Sequence, residues 1–419
     1  MGLHGDIKKH VIAAFPSAVV DDSVSHEELE RASLCVIDFM WLMFRFRGVS
    51  GKQLVFFFLR QALEAFESGA HRAAVITDDP RKVPTQKMKE QAKRSSTKRK
   101  AIADIAVEDL RIDDDHVPND FVAAVAHRDF RARLMCYLET RVFDALESAE
   151  FRELTRRAID RREPRDRNVV LCLRVGTGRT TLLKWSDTEG WVIRDGSPEL
   201  GQGEADMAAV EVIRHFAKED ASLGIPTGNV FVRTIDSDSI PILSMLHLRL
   251  PDVRLFLWLP ACGVHARSEN GARDRVSIAS IARRVGVLRE SPHVSKRPVV
   301  GPWGREKRLL ICINEMHANY ESVLRFVLLC VIMGTDFNVK LVRRVGLIDL
   351  QAKVGNVSAN SVSACFDEVD AFKRVCHCIT EKTKSKISAS GLVDDEEFSR
   401  AWWVLRYWSE RTTEDRHTL

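Results

Sequence analysis

Acidic residues that stand within or just after short apolar runs are the features of this sequence most able to do chemistry. The run LCVIDFM carries Asp38, the run AAVITDD carries Asp78, and the run VFVRTID ends at Asp236. An acid in an apolar strand is costly to bury unless it is paired or binds a cation. In open α/β sheets, ligands collect outside the carboxyl ends of the strands. We therefore expect these acids to meet at one edge of a sheet.

The complete set of such acids has seven members that stand at strand ends or helix openings: Asp38, Asp78, Glu204, Asp206, Asp236, Asp238 and Asp336. Glu204 and Asp206 are spaced i, i+2, as are Asp236 and Asp238. In an extended segment this spacing places both side chains of a pair on one face. Two carboxylates about 4 Å apart repel each other by about 4 kcal/mol at an effective dielectric near 20. Any one of these acids is explained as well by a helix cap or a solvated strand end. The joint pattern favours a shared site.

Divalent cations would remove this repulsion. Carboxylate oxygens are hard ligands that favour Mg²⁺ or Mn²⁺ over zinc. Two such ions about 4 Å apart can activate a water and stabilise the leaving oxygen of a phosphodiester. The acids therefore predict a centre with two Mg²⁺ ions, for which Mn²⁺ can substitute.

A strongly cationic segment follows Asp78. Between Arg81 and Lys100 there are nine Lys or Arg residues and a single acid, Glu90. Such a cluster is suited to a phosphate backbone. The net charge of the whole chain is only +4, so the clustering, and not the total, indicates a nucleic-acid partner.

Composition bounds the class of protein. The chain has 419 residues, of which 45% are hydrophobic, enough for a sizeable core. Its nine cysteines are scattered without a Cys-x-x-Cys pair, which is typical of a reduced, intracellular protein. Met1–Phe15 is amphipathic and does not match a signal peptide, and no apolar run has membrane-spanning length. We expect a soluble protein that is not secreted and has no membrane partner.

Apolar runs alternate with helical patterns along the chain. Seven runs predict strands: Leu34–Met40, Ala73–Asp79, Asn168–Val175, Thr180–Trp185, Val230–Asp236, Val253–Leu259 and Leu309–Asn314. This alternation predicts an α/β fold with a mostly parallel central sheet and helices on both faces. The segment VGTGRTT lacks the lysine and the glycine spacing of a phosphate loop, so it predicts a hairpin turn. The aromatic stretch Ala401–Trp408 predicts a core-facing helix, with a base-stacking surface as the alternative.

The order of these motifs resembles the Rad2/XPG family of structure-specific 5′ nucleases, which includes the flap endonucleases. MGLHG is similar to the family's N-terminal start, VIDFM to its first acidic strand and VITDD to its second. GQGEAD is similar to the family's acidic helix opening, TIDSDSIPIL to its Thr-x-Asp-x-Asp segment and IMGTDF to its Leu-Gly-Ser-Asp-Tyr segment. The resemblance implies a PIN-like 5′ nuclease fold, with the seven acids as metal ligands and catalytic residues. It suits a divergent, viral-type member.

The same resemblance extends to the cationic segment and to the region after Asp336. The spacing Lys87-x₆-Arg94 is similar to the arch residues that contact the scissile phosphate, which implies catalytic roles for both cations. The resemblance and the basic run together give these nucleic-acid-binding candidates: Gly2, Lys82, Lys87, Lys93, Arg94, Arg344 and Gly346.

The sequence departs from the family pattern at several places. Position 206 holds Asp where the family usually has Glu, so the charge is kept and the reach is shorter. The family's Gly-Ile-Gly motif, which grips duplex DNA and a K⁺ ion, is matched only by Arg344-Val345-Gly346, without the first glycine. We find no peptide for binding a sliding clamp, and we expect a monomer.

By this resemblance the chain divides into four parts. Residues 1–110 form an N-terminal nuclease region with a basic helical arch at about 80–110. Residues 111–200 form an insertion with helices and a hairpin, 201–339 an internal nuclease region, and 340–419 a helical C-terminal region.

The predicted function is hydrolysis of phosphodiester bonds in branched, flapped or broken-ended DNA during replication, repair or recombination. The protein would act in the nucleus or at a cytoplasmic site of replication. One alternative is an enzyme similar to the 5′→3′ exoribonucleases, whose Gly-Glu-Gly-Glu-His and Gly-Asn-Asp-Phe segments partly match this chain. Others are a catalytically inactive relative that only binds nucleic acid, and a phosphotransferase that uses VGTGRTT.

Overall fold

The structure is a computed structural model. It describes residues 11, 15–18, 32–43, 45–78, 110–160, 167–176, 180–195, 205–234, 236, 238–260, 308–316, 320–335, 341, 347–381 and 395–410.

The described strands form one eight-stranded sheet in the order β5-β4-β3-β2-β1-β6-β7-β8. They span β1 Ala32–Asp38, β2 Arg72–Ile76, β3 Val170–Arg174, β4 Thr181–Ser186, β5 Gly190–Arg194, β6 Asn229–Arg233, β7 Arg254–Pro260 and β8 Arg308–Cys312. The five central strands, β3 to β7 across the sheet, are parallel, and the antiparallel pairs lie at its two sides. The prediction of an α/β fold with a mostly parallel sheet is confirmed.

The chain changes direction across the sheet at β1. From β1 it passes to β2 and β3 on one side, whereas β6 and β7 extend the sheet from β1 on the other side. The boundary between β1 and β6 is therefore a topological switch point, and open α/β sheets bind ligands in the crevice at the carboxyl ends of the strands there. Asp38 is the last residue of β1.

Helices connect the strands and build the C-terminal part. They span α1 Met40–Met43, α2 Gly51–Glu67, α3 Phe121–Ala126, α4 Arg128–Glu147, α5 Ala149–Asp160, α6 Ala205–Ser222, α7 Ser239–His247, α8 Ile313–Met316, α9 Tyr320–Met333, α10 Leu347–Gly355, α11 Ala359–Asp367, α12 Val369–Glu381 and α13 Asp395–Glu410. A short 3₁₀ turn, Pro16–Ala18, precedes β1.

Alternating side chains of the strands supply two hydrophobic cores. Leu34 and Val36 of β1 pack with α6, α7 and α9 on one face, which we call the α6 face. Cys35 and Ile37 pack with α1, α2, α4 and α5 on the opposite face, the α2 face. This period of two is expected for strands buried on both faces. Both faces of the sheet are therefore covered by helices, as predicted.

The segment predicted as an insertion, 111–200, is continuous with the sheet. Its strand β3 pairs in parallel with β2, and β4 and β5 extend the same edge as antiparallel strands. The β3–β4 pairing agrees with the predicted hairpin, whereas β5 was not predicted. Gly176 begins the turn at a φ of 53°, and a Cβ there would lie 2.8 Å from the Cβ of Met135. Only glycine meets both conditions without strain.

The C-terminal aromatic helix faces the core, as predicted. Leu405 and Trp408 of α13 are buried, and the indole N–H of Trp402 donates to the carbonyl of Cys365 at 3.2 Å. Trp403 is partly exposed. In the part of the chain that the structure describes, no helix combines the length and apolarity needed to cross a bilayer.

A buried carboxyl group on α2 couples the fold to pH. Glu64 is 7% exposed and accepts a hydrogen bond from Arg60 at 3.3 Å. Burial raises its pKa from 4.5 to about 7, although Arg233 and Arg60 oppose the shift. Because the folded state holds this proton more tightly, the stabilisation is complete below pH 4.5 and is lost as the pH rises toward 7.

We expect Glu64→Gln to remove this pH dependence. The wild-type protein should lose roughly 3 kcal/mol of unfolding free energy from this group between pH 4 and pH 8, and the variant should not. The measurement is the urea midpoint across that range. Glu147→Gln, at the exposed end of α4, is the control and should keep the wild-type slope. An unchanged slope in Glu64→Gln would contradict the assignment.

Candidate functional site

Three parallel strands bring acids to the same edge of the sheet and to the same face. Asp38 continues the alternation of Leu34 and Val36, whose side chains lie on the α6 face. It lies in register with Ile76 of β2, two residues before Asp78. Thr234 and Asp236 follow the end of β6, the strand on the other side of β1. The acids therefore lie at or just beyond the strand ends, where loops begin.

Thr234 connects Asp38 to Asp236 across the switch point. Its hydroxyl donates to Oδ2 of Asp38 at 3.0 Å and accepts from the backbone N–H of Asp236 at 3.1 Å. The other oxygen of Asp38 accepts from the N–H of Met40 at 2.8 Å. Oδ1 of Asp236 accepts from the N–H of Asp238 at 3.0 Å. Asp38, Asp236 and Asp238 are thus joined in one hydrogen-bonded series.

A second series ties Asp78 and Asp206 to the same edge. Oδ1 of Asp78 accepts from the backbone N–H of Ala205, the first residue of α6, at 2.9 Å. Asp206 follows in the first turn of that helix. Its Oδ1 accepts from the hydroxyl of Ser239, the first residue of α7, at 2.5 Å. Because α7 begins directly after Asp238, the two series meet at its first turn.

The start of α6 and the start of α7 both stabilise negative charge at this edge. A helix N-terminus carries a partial positive charge and presents unpaired N–H groups. Asp78 accepts a hydrogen bond at the start of α6, whereas Asp238 lies at the N-cap position of α7 without a side-chain capping hydrogen bond. Both positions lower the cost of placing carboxylates at this sheet edge.

The acids differ in their access to solvent. The first four in sequence order are partly exposed: Asp38, Asp78, Asp206 and Asp236. Asp238 is 2% exposed and lies close enough to Cys330 of α9 that its charge adds to the effect of burial in raising the pKa of that thiol. Four carboxylates can therefore be reached from solution, whereas Asp238 faces the helical layer.

The side chains at this edge are of the type that a hard divalent cation prefers. The five side chains offer carboxylate oxygens, the ligand type that Mg²⁺ and Mn²⁺ prefer. A carboxylate has about four lone-pair positions, so the hydrogen bonds described above are compatible with coordination. Across the described ranges, no three His, Cys, Asp or Glu side chains are grouped so as to hold a metal ion. Glu204 and Asp336 lie outside those ranges.

The remaining predicted site residues also lie outside the described residues. They comprise the two arch cations and the other nucleic-acid candidates: Gly2, Lys82, Lys87, Lys93, Arg94, Arg344 and Gly346. The chain after β2 is described only up to Asp78.

Two hydroxyl residues of this site were not predicted. Thr234 and Ser239 are both buried and bind carboxylates of the site. Both flank the acids in the segment TIDSDS, which was the available signal. The sequence could not show that their partners, Asp38 and Asp206, lie 196 and 33 residues away along the chain.

Two cavities lie away from the acids. One, of about 920 Å³, is lined by residues at the amino ends of the strands, including His71 and Arg72 of the β2 region. The other, of about 510 Å³, lies among α10, α11 and α12. None of the five described site acids lines either cavity.

The chain matches no model of a known protein family and no curated protein.

Proposed function

We propose that the chain is a metal-dependent 5′ nuclease with a PIN-like fold, which hydrolyses phosphodiester bonds in branched, flapped or broken-ended DNA. The observation that carries the proposal is that hydrogen bonds anchor five acids at the carboxyl ends of β1, β2 and β6 and at the starts of α6 and α7, beside the switch point of a parallel sheet. This is the arrangement that the resemblance to the Rad2/XPG family implies. RNA is the alternative substrate and DNA the favoured one.

In this proposal the partly exposed acids supply most of the ligands of the divalent cations. Asp38, Asp78, Asp206 and Asp236 would hold the cations, with Glu204 and Asp336 completing the set. When bound, Mg²⁺ supplies Lewis-acid activation of the attacking water and stabilises the leaving oxygen. Thr234 orients two of these acids, and the backbone N–H at the start of α6 orients Asp78.

The cationic segment after Asp78 would supply substrate contacts. Lys87 and Arg94 would bind the scissile phosphate, and charge-assisted bonds of this kind are about twice as strong as neutral ones. The first cation of the segment, Arg81, follows Asp78 by three residues in sequence.

A panel of 5′-labelled substrates tests the proposal. We expect cleavage of a flap, a nick or a double-strand end in Mg²⁺, and complete loss of cleavage in EDTA. Preferential cleavage of single-stranded RNA would select the exoribonuclease alternative. Binding without cleavage of any substrate in Mg²⁺ or Mn²⁺ would contradict the proposal and favour an inactive relative.

Thr234→Val is expected to slow cleavage by about ten- to a hundredfold, because residues that orient metal ligands typically have effects of this size. Valine keeps the shape of threonine and removes the hydroxyl that joins Asp38 to Asp236. Single-turnover cleavage in saturating Mg²⁺ is the measurement. The control is Thr155→Val, a buried threonine that accepts from the Trp191 indole at 3.3 Å. Equal rates in the two variants would remove Thr234 from the site.

A further inference from the structure

Asp206 is held by a buried hydroxyl from the neighbouring helix. Ser239 is 3% exposed, and its hydroxyl donates to Oδ1 of Asp206, which makes the bond a charge-assisted one. The bond anchors one oxygen of the Asp206 carboxylate. It therefore restricts the directions in which the second oxygen, Oδ2, can point.

The length of the acid at position 206 makes this restraint important. Aspartate is shorter than glutamate by one methylene, or about 1.5 Å of reach. A short side chain on the first turn of α6 has few rotamers with which to find a ligand position. Ser239 is carried by α7, which begins beside Asp236 and Asp238, so it relates Asp206 to those acids.

We propose that Ser239 is a positioning residue that sets the affinity of the acidic edge for Mg²⁺ and Mn²⁺ by fixing the carboxylate of Asp206. This inference rests on the proposed function, in which Asp206 binds cations. Partners that orient metal ligands typically change metal affinity by about ten- to a hundredfold when they are removed.

The test is isothermal titration calorimetry of the full chain with MgCl₂ and with MnCl₂. We expect Ser239→Ala to weaken both affinities by about ten- to a hundredfold. The control is Ser244→Ala, on the same helix, because Ser244 is also buried and donates to the carbonyl of Ile240 at 2.8 Å. It should bind both cations as the wild type does. Thermal unfolding without cations verifies that each variant folds.

Repeating the Ser239→Ala change in a protein that carries Asp206→Glu tells whether Ser239 acts by orienting Asp206 or by a general effect on α7. In Asp206→Glu the added methylene carries the carboxylate past Ser239, so Ser239→Ala should change cation affinity by less than about threefold there. Such a difference between the two backgrounds is the coupling that a double-mutant cycle measures. Equal losses in both backgrounds, or no loss in either, would overturn the inference. A wild-type chain that binds neither cation would instead refute the proposed function itself.

Discussion

Asp236→Asn is expected to lower the rate of phosphodiester cleavage by at least about a thousandfold, or roughly 4 kcal/mol of activation free energy. Asparagine keeps an oxygen that can accept the hydrogen bond from the N–H of Asp238, so the local fold should survive. What it removes is the negative charge that would bind a cation. Asp78→Asn should behave in the same way, because its amide oxygen can still accept from the N–H of Ala205.

The matched control for these variants is Asp120→Asn. Asp120 caps α3 by accepting from the N–H of Ala123 at 3.0 Å, so it undergoes the same chemical change at a helix cap outside the acidic network. Its cleavage rate should equal that of the wild type. Binding of labelled DNA should persist in all three variants. If Asp236→Asn and Asp78→Asn both cleave within about tenfold of the wild-type rate, the catalytic assignment is wrong.

Asp220→Asn is expected to destabilise the fold by about 3 kcal/mol, the lower end of the usual effect of breaking a buried ion pair, because Arg72 keeps some contact with solvent. Asp220 of α6 is 4% exposed in its side chain and accepts two hydrogen bonds from Arg72 of β2, at 2.8 and 2.5 Å. The guanidinium of Arg72 also lies 4.8 Å from the ring centre of Phe216. The pair therefore joins the start of β2 to the end of α6, whose other end carries Asp206.

The denaturation midpoint in urea measures this effect. Glu153→Gln is the control, because the Arg157–Glu153 pair lies on the exposed side of α5 and such pairs contribute at most about 1 kcal/mol. If Asp220→Asn shifts the midpoint no further than Glu153→Gln does, the Arg72–Asp220 pair has no structural importance.

The strands that carry the site could be predicted because each is a short, nearly continuous apolar run. Such runs identify β1, β2, β6 and β7, since parallel strands buried on both faces show no alternation. Their ends were placed too late: the structure ends β2 at Ile76 and β6 at Arg233, so Asp78 and Asp236 lie in the loops beyond. Acids are favourable at such positions because loop backbone and helix starts supply donors.

Other features depended on contacts between distant parts of the chain. The strand β5 is five residues long and exposes Val192 and Ile193, a pattern too short to separate from a loop. The cap that Asp78 provides to α6 spans 127 residues, and the Arg72–Asp220 pair spans 148. Local periodicity carries no information about such pairs.

The central claim is that carboxylates from separate strands share divalent cations at one sheet edge. The most direct measurement is anomalous diffraction from crystals of the full chain equilibrated with Mn²⁺. The account predicts anomalous peaks at the carboxyl ends of β1, β2 and β6, within about 2–2.5 Å of oxygens from Asp38, Asp78 and Asp236. Saturating Mn²⁺ with no peak at that edge, or with these carboxylates directed to separate surfaces, would contradict it.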